Sequence, residues 1–124
     1  MAYYENLPIY RKAVELTVLM ENTVRGFARY HKYSIGADMR NLSRAIAALI
    51  IKANSEKDKV RTVTELRDKC EEMKFTITVG KEIKAYKSFK QFQIAATIAV
   101  DLSRQSEGWL GSSRKGKGPE SPAS

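Results

Sequence analysis

Few residues in this chain have the chemistry that catalysis or metal binding requires. His31 is the only histidine and Cys70 is the only cysteine. A histidine-based metal site needs further histidines, and His31 stands in a Tyr-His-Lys-Tyr stretch where an exposed or capping role is expected. Cys70 follows Leu66 by four residues on an apolar helical stripe, where a buried thiol behaves as a small hydrophobe. The sequence therefore predicts no catalytic residue, no metal and no cofactor.

The acidic residues and glycines form no catalytic pattern either. Asp68, Glu71 and Glu72 alternate with Arg and Lys, which is typical of a solvated helix face with weak ion pairs. Carboxylate sites for iron in helical bundles use Glu-x-x-His motifs, and the sequence contains none. Gly36 and Gly80 stand alone, so there is no phosphate-binding glycine loop. We interpret the chain as a binding protein and not as an enzyme.

The basic residues indicate a function more clearly than the potential catalytic residues do. The 22 Lys and Arg exceed the 14 Asp and Glu, and the net charge of +8 favours a polyanionic partner. Lysines alternate with aromatic rings over residues 84–90, where cations can contact phosphates and rings can stack on bases, or the rings can simply pack the loop. No sequence-reading motif is visible, so binding should follow charge and shape. The candidate nucleic-acid-binding residues are Arg40, Arg44, Lys74, Lys81, Lys84, Tyr86, Lys87 and Lys90.

The elements that position these residues are helices, because apolar residues recur every three or four positions. The β-branched run 76–79 allows a strand on propensity alone, but the helical spacing on both sides of it outweighs that preference. Four helices joined by short links favour an all-α, antiparallel up-down four-helix bundle. The predicted helices cover residues of about 7–29, 35–54, 58–83 and 89–110.

Several helix boundaries have local signals. Asn6 and Ser34 are the predicted N-caps of the first two helices. Ser88 and Gln91 fit a capping box, in which each side chain satisfies a free backbone donor at the start of the fourth helix. Gly111 is a natural stop for that helix.

The chain is expected to form one domain, residues 1–111, followed by a disordered, basic Gly/Ser/Pro tail, residues 112–124. No window is apolar enough to span a bilayer and no secretory signal is visible, so we expect a cytoplasmic protein that binds no membrane. Apolar residues such as Val14 and Val18 lie outside the main stripe of their helix. They indicate self-association, although a wide buried face would explain them as well.

A family resemblance covers roughly residues 4–111. It lies in four short strings, YSIG at 33–36, IIKAN at 50–54, KSFKQF at 87–92 and QSEGWL at 105–110. In this order and spacing they resemble the accessory variability determinant (Avd) proteins of diversity-generating retroelements. The opening string LPIYRKA at 7–13 is similar to the related four-helix proteins encoded in ribosomal RNA intervening sequences.

The resemblance implies a four-helix bundle that assembles into a homopentameric barrel with a basic surface. It also implies a non-catalytic protein that binds the retroelement's reverse transcriptase and template RNA and supports mutagenic cDNA synthesis. The alternative is an intervening-sequence-type bundle that acts as a structural or protein-interaction module. The resemblance supplies no site residues, so the candidates above depend on charge alone.

Overall fold

Helices make up nearly all of the computed structural model, which describes residues 3–116. In chain order they are a short 3-10 helix at Tyr4–Asn6, α1 at Pro8–Arg25, α2 at Arg29–Lys32, α3 at Ile35–Ser55, α4 at Val60–Glu82 and α5 at Phe89–Gly116. The predicted helical bundle is confirmed, since four long helices pack together and residues 3–116 contain no strand. None of the helices in that range has the length and apolar character needed to cross a bilayer.

The four long helices are arranged so that each packs against two neighbours. Helices α1 and α4 each contact both α3 and α5. Arg67 lies near Glu107 (3.9 Å), whereas Lys81, further along α4, lies over the ring of Phe92 near the start of α5. These two contacts show that α4 and α5 run antiparallel. Short links connect the other sequential neighbours, as expected of up-down packing.

The core is built from the predicted apolar stripes. On α4 every member of the stripe is buried, and its members are Val63, Leu66, Cys70, Met73, Ile77 and Gly80. Facing residues of α1, α3 and α5 join Leu66, Cys70, Met73 and Ile77 in one continuous cluster. Val63 packs instead with Ala53 and Leu110 in a smaller cluster at the other end of α4. Burial of these stripes, more than intrinsic helix propensity, stabilises the helices.

The β-branched run of α4 is helical, as the spacing predicts. The hydroxyls of Thr76 and Thr78 donate to the carbonyls of Glu72 (2.8 Å) and Lys74 (3.0 Å), one turn earlier. Such bonds satisfy the threonine side chains within the helix. Tertiary packing of Ile77 in the core then overrides the strand preference of this segment.

The predicted N-cap of α1 is wrong, and the predicted N-cap of α3 is right in position but makes no capping hydrogen bond. Leu7, and not Asn6, precedes α1, because Tyr4–Asn6 forms its own 3-10 turn. Ser34 does precede α3, but its hydroxyl donates backwards to the carbonyl of Tyr30 (2.7 Å) and makes no cap to α3. The first long helix also ends at Arg25, with Gly26 at its C-cap, and the predicted continuation to residue 29 is replaced by the separate helix α2.

The capping box at the start of α5 is present with one change. The backbone N–H of Gln91 donates to the Ser88 hydroxyl (3.3 Å), as predicted. The side-chain oxygen of Gln91 accepts from the N–H of Lys87 (3.0 Å), one residue before the expected donor. Two free donors at the helix start are therefore satisfied.

Helix α5 continues past the expected stop at Gly111 and reaches Gly116, the last described residue. A glycine within a helix costs only about 1 kcal/mol relative to alanine, and Gly111 keeps a helical conformation with no positive φ. Arg114 and Lys115 in the last turn interact favourably with the negative end of the helix dipole. The predicted disordered tail is thus wrong for residues 112–116, and residues 117–124 lie outside the described range.

Core truncation tests the packing. Leu66 is fully buried, whereas Leu49 is only partly buried at the edge of the core. We expect Leu66→Ala to lower the free energy of unfolding by about 2–5 kcal/mol, because it leaves a cavity among the four helices. Leu49→Ala should lower the free energy of unfolding by less, because its side chain is only partly buried. Urea denaturation followed by far-UV circular dichroism measures both, and an equal loss for the two variants would contradict the burial described here.

Candidate nucleic-acid interface

Two distant links of the chain meet at one end of the bundle. The link between α1 and α3 contributes Phe27, which is buried, and the link between α4 and α5 contributes Tyr86. Their rings are in edge-to-face contact with centroids 5.6 Å apart. The stem of Lys87 lies across the end of α1, close enough that a Cβ on Gly26 would come within 2.9 Å of its Cε atom. Basic residues of both links are thereby brought to the same end.

Tyr86 has a packing role in this arrangement. Its hydroxyl donates to the carbonyl of Ile77 (2.8 Å), and its ring also packs against Phe92 with centroids 5.9 Å apart. The side chain is partly buried, and burial raises the pKa of Tyr86 above its ordinary value. Of the two roles open to this ring, the structure favours packing over base stacking, so Tyr86 holds the neighbouring lysines in place.

Four of the predicted lysines come together at this end. Lys81 is partly buried, pairs with Glu82 (3.4 Å) and lies 5.0 Å from the centroid of Phe92. Lys84, Lys87 and Lys90 are exposed, and none of the three forms an ion pair within the described part of the chain. Unpaired, solvated ammonium groups are free to contact phosphates without first breaking an internal salt bridge.

The backbone at Lys84 is unusual. Lys84 has a φ of 59°, the left-handed conformation that favours glycine. Its N–H donates to the carbonyl of Lys81 (3.0 Å), and the N–H of Ala85 donates to the carbonyl of Gly80 (2.9 Å), which is the Schellman motif that ends α4. A non-glycine residue in this conformation costs roughly 1–2 kcal/mol. The chain therefore carries a cation at a position where glycine would be more stable.

The other candidate residues lie away from these lysines. Arg44 is in the middle of α3 and its guanidinium pairs with Glu21 of α1 (2.6 Å). Lys74 pairs with Glu71 (3.1 Å), whose carboxylate also accepts a hydrogen bond from Ser103 (2.5 Å) that lowers the pKa of Glu71. Arg40 is partly buried one turn before Arg44. Arg44 and Lys74 are thus held in ion pairs, unlike Lys84, Lys87 and Lys90 within residues 3–116.

Sequence reasoning missed three cations at the same end of the bundle. Arg25, Arg29 and Lys32 lie in or beside the link between α1 and α3, which meets the lysine-bearing link through Phe27. Residues 25–36 and 81–91 together carry seven Lys and Arg and one acid, Glu82. We call this set the basic end. The bundle topology was the available signal, because an up-down bundle places its first and third links at the same end.

Sequence reasoning also missed a groove beside the basic end. Its walls come from α2 and the start of α3 on one side and from α4 on the other, and it encloses about 560 Å³. Three rings project into it with little cover, namely Tyr30 (79% exposed), Tyr33 (69%) and Phe75 (68%), and Ile83 lies beside them. We call this the aromatic groove. Exposed rings of this size, gathered in one place, mark an interaction surface.

The surroundings of Cys70 and His31 limit the chemistry that each side chain can do. Burial raises the pKa of the Cys70 thiol to about 12, so the thiolate needed for nucleophilic attack is scarce at neutral pH. His31 is partly buried and packs edge-on against Tyr30 (5.4 Å), with its Nδ1 atom lacking a hydrogen-bond partner. Residues 3–116 contain no group of three or more His, Cys, Asp or Glu side chains placed to hold a metal ion.

A substitution at Lys84 separates its backbone cost from its charge. Lys84→Gly should raise the free energy of unfolding by about 1 kcal/mol by relieving the left-handed conformation. The same change removes a cation and should weaken retention of RNA. Lys87→Gly is the matched control, because Lys87 has no positive φ. This variant loses the same charge and should not become more stable. Thermal unfolding and gel retardation measure the two effects, and a Lys84→Gly protein no more stable than the parent would contradict the strain assigned here.

Comparisons with known proteins identify no family. No family model matches the chain, and no curated protein matches its sequence. The basic end and the aromatic groove therefore have to be interpreted from their own geometry.

Proposed function

We propose that this protein is a non-catalytic accessory protein of a diversity-generating retroelement. In this role it binds the reverse transcriptase and the template RNA in the cytoplasm and supports mutagenic cDNA synthesis. The observation that carries the RNA part of the proposal is the basic end, where Lys84, Lys87 and Lys90 are exposed and form no ion pair with any residue of 3–116. The resemblance to the Avd proteins supplies the retroelement and the polymerase partner.

The charge arrangement supports RNA binding by contact with phosphates. Cations that replace condensed counterions on a nucleic acid release them, and this release drives association at low salt. The basic end concentrates such cations on two links that the core holds together, so they need little ordering on binding. Lys81, over the ring of Phe92, adds a cation at the edge of the same surface.

In this proposal the polymerase, and not the bundle, makes the new bonds. Cys70 lies within the core, and its pKa of about 12 makes it a poor nucleophile. The bundle therefore acts as an adaptor that brings RNA and polymerase together.

We also propose that the protein assembles into a homopentameric barrel. Apolar side chains left outside the core support self-association, among them Val14 (40% exposed) and Val18 (54%) on α1 and Ile94 on α5. These residues do not contribute to the intramolecular core, and burial between subunits would remove them from water.

A second candidate is an intervening-sequence-type bundle that serves as a structural or protein-interaction module. The aromatic groove favours it, because exposed apolar rings can bind a protein segment as well as a base. A reverse-transcriptase gene and a variable repeat beside the coding sequence would support the retroelement role. Their consistent absence would favour this second candidate.

Charge reversal tests RNA binding directly. The triple variant Lys84→Glu, Lys87→Glu, Lys90→Glu should bind structured RNA more weakly than the parent. It should also reduce the slope of log Kd against log salt concentration by about 2, because fewer counterions are released. Fluorescence anisotropy across a salt series measures both quantities.

The matched control reverses three exposed cations at the opposite end of the bundle, Arg11, Lys57 and Arg61. It changes the net charge by the same amount, and it should bind RNA more tightly than the variant with the three lysines reversed. Equal losses of RNA affinity in the two triple variants would mean that the overall charge, and not the basic end, governs RNA binding. Far-UV circular dichroism should show both variants as helical as the parent.

Light scattering tests self-association. The parent should elute well above the 14.0 kDa of one chain. The double variant Val14→Lys, Val18→Lys should shift towards the monomer, because the charges would be buried at an apolar contact. A parent protein that is monomeric at all concentrations would refute the barrel.

A further inference from the structure

We infer that the aromatic groove binds unpaired nucleotides, so that the RNA ligand of this protein is single-stranded where it meets the bundle. The inference rests on the proposed RNA-binding function and deepens it by naming the form of the RNA. Its basis is that three exposed rings, Tyr30, Tyr33 and Phe75, line one groove, and that Arg29, Lys32 and Lys84 lie next to its lining residues in the chain.

The rings have the exposure that base stacking needs. Each of the three leaves more than two thirds of its surface in water, although burial within the bundle would have been favourable. Tyr30 lies in α2, Tyr33 directly follows that helix, and Phe75 lines the same groove from α4. A base of any type presents a π-face to such rings, whereas the bases of an A-form duplex are stacked on each other and unavailable.

The charges around the groove match a nucleic-acid strand. Arg29 and Lys32 flank Tyr30 in the same short helix, and Lys84 directly follows Ile83, which lines the groove. Among the described residues that line the groove, Asp38 carries a charge, and its carboxylate repels phosphate. This distribution places phosphates at the margins and bases within, which is the arrangement of single-strand binding surfaces.

The charges near the groove also discriminate between possible occupants. Cations at the margins give a protein segment no advantage unless it is acidic, and they give RNA an advantage at every phosphate. The charge pattern therefore favours RNA over an apolar peptide as the occupant.

The experiment compares two forms of one RNA. A fluorescently labelled single strand of about 12 nucleotides, without self-complementarity, is titrated with the full-length protein, and the same strand is titrated after annealing to its complement. The variant Tyr30→Leu, Tyr33→Leu removes two exposed rings and keeps apolar bulk. The control is Tyr3→Leu, because Tyr3 is a similarly exposed tyrosine at the opposite end of the bundle.

We expect the double variant to bind the single strand at least about 10-fold more weakly, since stacking on one ring is worth about 5-fold or more. Duplex binding and the salt dependence of single-strand binding should stay unchanged, because the rings release no counterions. Phe75→Leu should have the same selective effect, and Tyr3→Leu should have none.

Other outcomes overturn the inference. Unchanged single-strand affinity, or equal losses for strand and duplex, would remove the groove as a site for unpaired bases. Intact RNA binding with loss of polymerase binding or of self-association would make the groove a protein-docking surface. If the lysine triple variant still weakens RNA binding in these cases, the proposed function survives without this inference. A parent protein that binds neither the single strand nor the duplex would refute both the proposed function and this inference.

Discussion

The edge-to-face contact between Phe27 and Tyr86 joins two links that are far apart in the chain. Phe27 is buried beneath the end of the bundle, and the Tyr86 hydroxyl is anchored to the carbonyl of Ile77, so both rings are held from the core side. This contact helps to hold the basic residues of the two links at the same end of the bundle. Like charges brought close together repel, and burial of the rings offsets that cost.

The helix dipoles help to stabilise the same end. Arg25 lies in the last turn of α1 and Lys81 in the last turn of α4, where a cation meets the partial negative charge of the free carbonyls. The positive ends of α3 and α5 also point to this end of the bundle, and the capping box at Ser88 satisfies donors there. The local positive charge thus combines side chains with backbone groups, while the two C-termini moderate its self-repulsion.

Periodicity predicted the bundle well, because burial along one face of a helix leaves a local pattern in the sequence. The stripe from Val63 to Gly80 is the clearest case, and its β-branched segment remained helical through core packing.

The meeting of two links was harder to predict, since it depends on topology that no single segment encodes. The exposed rings were invisible for a similar reason: an aromatic residue such as Phe75 usually predicts burial. Gly111 misled because a weak helix former stops a helix only when other signals agree.

The burial of Cys70 has a practical consequence for experiments on this protein. A thiol with a pKa near 12 is almost entirely protonated at neutral pH, so alkylating reagents and maleimide dyes should leave it largely untouched in the folded state. A second cysteine introduced at the surface would then be the dominant reactive thiol. Dyes, crosslinkers or spin labels could be attached at a chosen site without first mutating the native residue.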